Sequence, residues 1–243
     1  MTANAPQLPP EHRRRWLIRT VIAVVVTVAL VVGGPWFYAR VLAPDAEAPL
    51  ALTTPTPTAI GVPVEEGPPA EIDVDGTWQV GPGSEAGYRL NELLSGQQVT
   101  ATGRTEQVTG TVLVAAGMLS QAQVVVETGS IETDESARDA YFRRALDTST
   151  YPQATFDLVE PIDVAGLGTA EGPVAVTVVG ALSFHGVSQS VVAELQVQRT
   201  ADGIEIAGQI PVVLADFGLT APDLGFVTVE PAGTIEILLR LIR

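Results

Sequence analysis

The chain has no cysteine and no lysine among its 243 residues. The first absence excludes disulfides, thiol nucleophiles, zinc ribbons and thiolate-held iron–sulfur clusters. The second excludes a Walker-type phosphate lysine, Schiff-base chemistry and pyridoxal phosphate attachment. Histidine occurs only as His12 and His185, too few for a multi-histidine metal centre. No G-x-S-x-G elbow, G-x-G-x-x-G loop, EF-hand loop or N-x-S/T sequon is present. Neither a cofactor nor a metal is therefore expected. Ser183 and Ser188 flank His185, but a working relay needs a base oriented by a buried carboxylate, with an oxyanion hole beside it. His185-Gly186 reads as a turn that points the imidazole at solvent. Asp73-Val74-Asp75 reads as a solvated acidic pair at the edge of a linker.

Positive charge is scarce and unevenly balanced along the chain. All 13 basic residues are Arg. Residues 1–40 carry five of them against the single acid Glu11, a balance of +4. Residues 41–243 carry eight against 27 acids, a balance of −19. So acidic a region repels phosphate backbones, which excludes a nucleic-acid partner.

What the N-terminal part does have is one long apolar run. Thr20 to Ala39 (TVIAVVVTVALVVGGPWFYA) is uncharged. Twenty residues at about 1.5 Å rise span about 30 Å, the hydrocarbon thickness of a bilayer. Arg13, Arg14, Arg15 and Arg19 precede the run, and Asp45 and Glu47 follow it. The positive-inside rule then places residues 1–19 in the cytoplasm as a basic tail and everything after Arg40 outside the cell membrane, which is crossed once. Trp36, Phe37 and Tyr38 suit the outer interface. A cleaved signal peptide, with Val41-Leu42-Ala43 as the small-residue site, is the alternative. Residues 40–71 follow as a Pro-rich linker. Seven prolines between 41 and 71 (44, 49, 55, 57, 63, 68, 69) prevent a regular ladder, so the stretch reads as an extended tether.

From about Ile72 to Arg243 the hydrophobic period is two. Val176, Val178, Gly180, Leu182 and Phe184 share one face of 176–184. Val191, Ala193, Leu195 and Val197 share one face of 191–198, opposite Glu194, Gln196 and Gln198. Ile204, Ile206, Gly208, Ile210, Val212 and Leu214 oppose Glu205, Ala207 and Gln209. Ile235, Ile237, Leu239 and Leu241 oppose Thr234, Glu236 and Arg240. One dry and one wet face per strand is the antiparallel pattern. Ala201-Asp202-Gly203 reads as a tight hairpin with Gly free to take a positive φ. Short-looped strands in sequence predict an all-β, up-and-down barrel, closed to remove its edges. One segment departs from the pattern. Asp134–Asp147 reads as a helix capped by Thr133 or Asp134, with Asp134/Arg138 and Asp139/Arg143 pairs. Its apolar stripe is Ala137, Tyr141 and Ala145, with Phe142 and Leu146 beside it. Tyr151-Pro152 then leads into a strand over 154–159.

Four stretches in this order carry a family resemblance. They are Gly76-Thr77-Trp78-Gln79-Val80, Ser130-Ile131-Glu132-Thr133 with Arg138-Asp139, Tyr151-Pro152-Gln153-Ala154-Thr155-Phe156, and Gly180-Ala181-Leu182-Ser183-Phe184-His185-Gly186-Val187. Together they resemble the YceI family of lipid- and polyisoprenoid-binding proteins, over roughly 75–241. The resemblance implies a lipocalin-like barrel of eight antiparallel strands with a helical insertion. Its central cavity would be apolar and hold an isoprenoid or other long-chain lipid, and no catalytic residues carry over. The expected ligand contacts are the aromatics Tyr88, Phe142, Phe156, Phe184 and Phe217 and the inward Val178, Gly180, Leu182, Ala193, Leu195, Ile206, Gly208 and Ile210. Gly180 and Gly208 stand either for unfilled volume or for bends in a solid core. Two other functions stay open: an interaction module with a filled interior that meets a protein partner at the cell envelope, and a barrel enzyme.

Overall fold

The computed structural model describes residues 20, 22–24, 27, 46–53, 72–94, 96–225 and 227–243. Its eleven strands are β1 (Gly76–Val80), β2 (Glu85–Leu94), β3 (Gln97–Thr105), β4 (Val108–Ala115), β5 (Met118–Glu127), β6 (Gln153–Leu158), β7 (Ile162–Asp163), β8 (Val174–Phe184), β9 (Val187–Arg199), β10 (Ile204–Val213) and β11 (Val227–Ile242). One α-helix, α1 (Ser136–Ala145), lies between β5 and β6. Strands β4-β5-β6-β8-β9-β10-β11 pair in sequence order, all antiparallel. β1 pairs with both β4 and β11 and closes an eight-stranded ring. This is the all-β barrel with a helical insertion that the period-two pattern predicts.

β1 and β2 are two halves of one strand lying along β11. The break between them holds Pro82, which has no N–H to give a ladder, and Gly83, at φ +77. Ser84 stitches the break from inside. Its hydroxyl donates to the Gly81 carbonyl at 2.8 Å and accepts the Arg240 N–H at 2.9 Å. The β2–β3 hairpin therefore continues the sheet beyond the closed ring. β11 begins well before the expected 234. Its register shifts between Val229 and Gly233, around Pro231, and the bulge hides the period from the sequence.

Two hairpins turn on left-handed residue pairs, Ala116-Gly117 and His185-Gly186, as two-residue loops with both φ positive. Asp75 holds the first. Its carboxylate accepts N–H from Ala116 and Gly117, each at 2.8 Å, so it is a structural clamp and not a solvated acid. Gly203 serves a different purpose from the one expected. Its φ is not positive, and a Cβ there would lie 2.0 Å from the Leu241 carbonyl oxygen, so the site needs glycine for close backbone approach.

Helix α1 is shorter and rotated relative to the sequence reading. Its N-cap is Glu135, which accepts the Ala137 N–H. Asp134 pairs with Arg138 as expected. Asp139 does not face Arg143. It is buried and accepts both the Thr133 N–H at 2.9 Å and the Thr133 hydroxyl at 2.7 Å. Arg138 reaches Glu92 on β2 at 3.1 Å. These polar anchors turn Asp139, Phe142 and Leu146 inward and leave Ala137, Tyr141 and Ala145 exposed.

The two ends of β10 mark two core clusters. Trp78, Val74, Val114, Val164, Ile204 and Leu241 pack at one end. Phe217, Ile210, Val212, Leu182 and Ala193 pack at the other. Outside the ring, one wet face is dry. Glu205, Ala207, Glu236 and Leu238 point outward on β10 and β11 yet are buried. Residues 46–53, read from sequence as free tether, cross this face. Glu236, fully buried, accepts from Arg89 Nε at 2.7 Å and from Arg104 Nη2. Nearly all of the expected span 20–39, the tail 1–19 and most of the linker lie outside the described residues. Among the described residues no helix is long and apolar enough to cross a membrane.

Burial alone raises the pKa of a carboxyl. At Glu236, hydrogen bonds and charge from Arg89 and Arg104 overcome burial and hold it below the ordinary 4.5. At Glu205, hydrogen bonds from Thr53 and Gln198 and the charge of Arg240 do the same. Unfolded chains then take up protons at a higher pH than the fold does. The stabilisation is complete above the ordinary 4.5 and is lost as pH falls through the lowered values. The melting temperature is expected to drop on acidification from about pH 6 to about pH 3. Glu236→Gln is expected to lower stability near neutrality by about 3 kcal/mol, because two guanidiniums lose their shared charge, and to flatten the acid limb of the curve. Parallel curves for the two proteins would contradict this assignment.

Candidate functional site

The ring encloses a cavity of about 190 Å³ whose wall is almost entirely carbon. For scale, a cavity of about 150 Å³ lined by aliphatic side chains stays dry and admits benzene. Tyr88, Phe142, Phe156, Val178, Leu182, Phe184, Ala193, Leu195, Ile206 and Ile210 line it, each among the expected contacts. Gly180, Gly208 and Phe217 do not.

The three exceptions have one physical explanation: neighbouring side chains already occupy their places. A Cβ on Gly180 would lie 2.1 Å from Phe156 Cζ, and one on Gly208 would lie 2.3 Å from Leu195 Cδ2. Each glycine is thus covered by a large residue leaning across from the next strand, and neither opens volume or marks a bend. Phe217 sits behind Phe184, the rings stacked at 4.0 Å. It supports the wall from the short 3-10 turn Leu214–Phe217 and does not touch the space. Alanines leave the volume instead: Ala86, Ala122, Ala154 and Ala193 all line the cavity. Three of these escaped the sequence reading. Ala122 and Ala154 do carry a legible signal, since Ala122-Val124-Val126 and Ala154-Phe156 alternate along β5 and β6.

One sector of the wall is made by side chains and not by a ladder. The outer edge of β3 meets the insertion through a single bridge, Arg104 with Glu132. Thr128, Ile131, Phe142 and Leu146 of the insertion complete the lining there, facing Tyr88 and Leu90 of β2. Tyr88 is the hinge of this sector. Its ring covers Gly103, with Cε1 2.6 Å from where a Cβ would stand, and stacks on Phe142 at 4.8 Å and 12°. Burial, with Asp139, Glu92 and Asp134 adding to it against Arg138, pushes its hydroxyl up to about 12. The ring thus presents a neutral face at any physiological pH. Thr128, among the few polar lining residues, donates its hydroxyl to the Pro152 carbonyl at 2.8 Å, so it offers the cavity little polarity.

Acid–base and nucleophilic machinery is not assembled from the residues singled out. The Ser183 hydroxyl donates to Ser188 at 2.8 Å. His185 is half-buried and not solvent-facing as expected. Its Nδ1 lies 3.0 Å from the Phe217 carbonyl, and its ring meets Tyr151 edge-on at 5.7 Å. It ties the β8–β9 turn to the 3-10 turn behind Phe184. Among the described residues no group of three or more His, Asp or Glu is placed to hold a metal ion.

Gly180→Ala tests the covered-glycine account. The new methyl must displace the Phe156 ring, and a loss of about 1–3 kcal/mol is expected in urea unfolding. In a double-mutant cycle with Phe156→Ala, the combined loss is expected to fall short of the sum by at least about 0.5 kcal/mol. Additive losses would show that Phe156 does not occupy the Gly180 site.

Comparison with known proteins agrees with this architecture. A polyisoprenoid binding domain from Saccharophagus degradans, implicated in plant cell wall breakdown, superposes with a TM-score of 0.56 at 24% identity, covering 68% of this chain and 97% of that one. Burkholderia cenocepacia BcnA superposes with a TM-score of 0.50 at 17% identity, covering 64% and 96%. At these identities the likeness speaks for the fold. No curated protein matches. The model of the YceI-like domain matches residues 78–241, from Trp78 in β1 to Leu241 in β11, and the chain belongs to the YceI-like domain family.

Proposed function

We propose that this protein binds one apolar chain, an isoprenoid or other long-chain lipid, inside the barrel, without transforming it. The observation that carries the reading is the cavity wall. A space whose wall is almost entirely hydrocarbon, with a neutral Tyr88 at its hinge, rewards a ligand of the same kind and penalises water or a charged group. Each buried methylene contributes about 0.8 kcal/mol before ordering costs, so affinity needs no polar contact. The S. degradans domain, described as polyisoprenoid binding, supports the same ligand class. The family consists of binding proteins, which supports binding without catalysis.

The volume sets a limit on what fits. About 190 Å³ is below the 300–1,000 Å³ of typical small-molecule pockets. A long chain therefore places only a segment inside, or the insertion moves outward to admit more. The sector between β3 and α1, closed by side chains, is where such a movement breaks the fewest backbone hydrogen bonds. In the same reading, residues 20–39 span the cell membrane once and hold the barrel outside it. The arginines before the run and the acids after it support that orientation.

Displacement of a fluorescent fatty-acid probe tests the binding. Isoprenoid alcohols of increasing length are expected to compete more strongly until the cavity is filled and to level off thereafter. Ala193→Phe is expected to weaken probe binding at least tenfold with the melting temperature within about 10 °C of the parent. Ala154→Phe on β6 gives the same test from a second strand. Competition independent of chain length, or unchanged by both substitutions, would contradict an internal site.

A further inference from the structure

The segment 46–53 is not idle tether where it crosses the barrel. At one end, Arg89 Nη2 donates to the Glu47 carbonyl at 2.6 Å, and Arg104 Nη2 reaches the Ala48 carbonyl at 3.4 Å. At the other end, Glu205 accepts the Thr53 N–H at 2.8 Å and the Thr53 hydroxyl at 2.6 Å. Gln198 donates to the Thr53 carbonyl at 3.0 Å and to Glu205 at 2.7 Å, which ties the two grips together. The anchors lie on β3, β2, β10 and β9. Crossing from β3 to β9 is four strand spacings, about 19 Å at about 4.8 Å each. Six steps of extended chain from Glu47 to Thr53 cover about 20 Å. The segment is therefore a transverse strap long enough to lie across these strands. Leu50 and Leu52 are its half-buried residues, and Ala207 and Leu238 are the buried outward residues between its ends.

Sequence alone does not explain why Glu205 and Glu236 should be the most deeply buried charges on an outer face. The strap accounts for both. It covers them, and the arginines that neutralise Glu236 are the ones that hold the strap's carbonyls.

We propose that the strap is a length switch: docked, it holds the barrel against the membrane that anchors it, and released, it lets the barrel travel outward. This rests on the reading that residues 20–39 span the membrane. With the strap docked, residues 40–46 separate the anchor from the strap, a contour length of at most about 25 Å. With it released, residues 40–71 separate the anchor from Ile72, a contour length of at most about 100 Å at the rise of a proline-rich chain. The docked state confines lipid exchange to the anchoring bilayer, and the released state brings a distant acceptor within reach.

The test uses the full chain in zwitterionic phospholipid vesicles carrying an acceptor dye. The chain has no native cysteine, so Ser190→Cys on the exposed side of β9 takes a single donor dye. Hydrogen exchange on the same preparation reads the strap. The Thr53 amide is expected to exchange at least tenfold more slowly than an unstructured amide. Thr53→Val removes the hydroxyl donor without touching the barrel and keeps the amide that is read, and it is expected to reduce that protection several-fold and lower energy transfer to the bilayer. Glu205→Gln is expected to weaken both in the same direction. An unprotected strap in the parent, or protection lost with energy transfer unchanged, would overturn the switch. Failure of the parent to float with the vesicles would overturn the membrane anchor and the reach argument. Protection at Thr53 would still report the strap in that case.

Discussion

Ring closure depends on a narrow contact. β1 meets β11 through Gln79–Ile242 and Val80–Leu241, while β2 takes the rest of β11. Once that contact forms, eight strands enclose a space that their own inward side chains must fill. An eight-stranded barrel is just wide enough to be filled by side chains or to hold one small ligand. Which outcome results depends on residue volumes and not on topology. Here the large inward residues are committed elsewhere. Phe156 lies over Gly180, Leu195 over Gly208, Tyr88 over Gly103 and Leu90 over Gly233. Alanine is left facing the centre from β2, β5, β6 and β9, and the cavity follows.

The same arrangement gives the site its character. A glycine under an aromatic ring lets the ring lie flat against the sheet and become wall. Tyr88 and Phe142 join the helical insertion to β2 face to face, and the salt bridge from Arg138 to Glu92 locks the helix beside them. His185 holds the Phe217 carbonyl and so steadies the Phe184–Phe217 stack on the far side. Polar groups near the cavity are spent on such structural bonds. The interior is left apolar, as a hydrocarbon-binding site requires.

Much of this was legible in the sequence because period two survives in β8, β9, β10 and the end of β11. There, inward Val178, Leu182, Ala193, Leu195, Ile206 and Ile210 could be named without a structure. The misreadings arose where a distant partner decides. Gly180 and Gly208 look like missing volume until Phe156, diagonal to the first, and Leu195, directly opposite the second, are seen. Asp139 looks like a helix-surface acid until Thr133 draws it inward. Leu214, counted as one more inward residue of β10, does line the cavity, but from a 3-10 turn beyond the strand. Most consequential is the outer face of β10 and β11. Glu205 and Glu236 follow the pattern of solvated residues. Their burial comes from residues 46–53, more than 150 residues earlier in the chain, in a stretch that composition marks as featureless linker.

A hydrocarbon chain held in the barrel should survive gentle isolation of the protein. Native mass spectrometry of the protein isolated from its own host, kept folded throughout, tests this most directly. The expected result is a non-covalent adduct with the mass of an isoprenoid or acyl lipid, released on collisional activation and absent from Ala193→Phe. Folded protein carrying only the mass of its own polypeptide would contradict it.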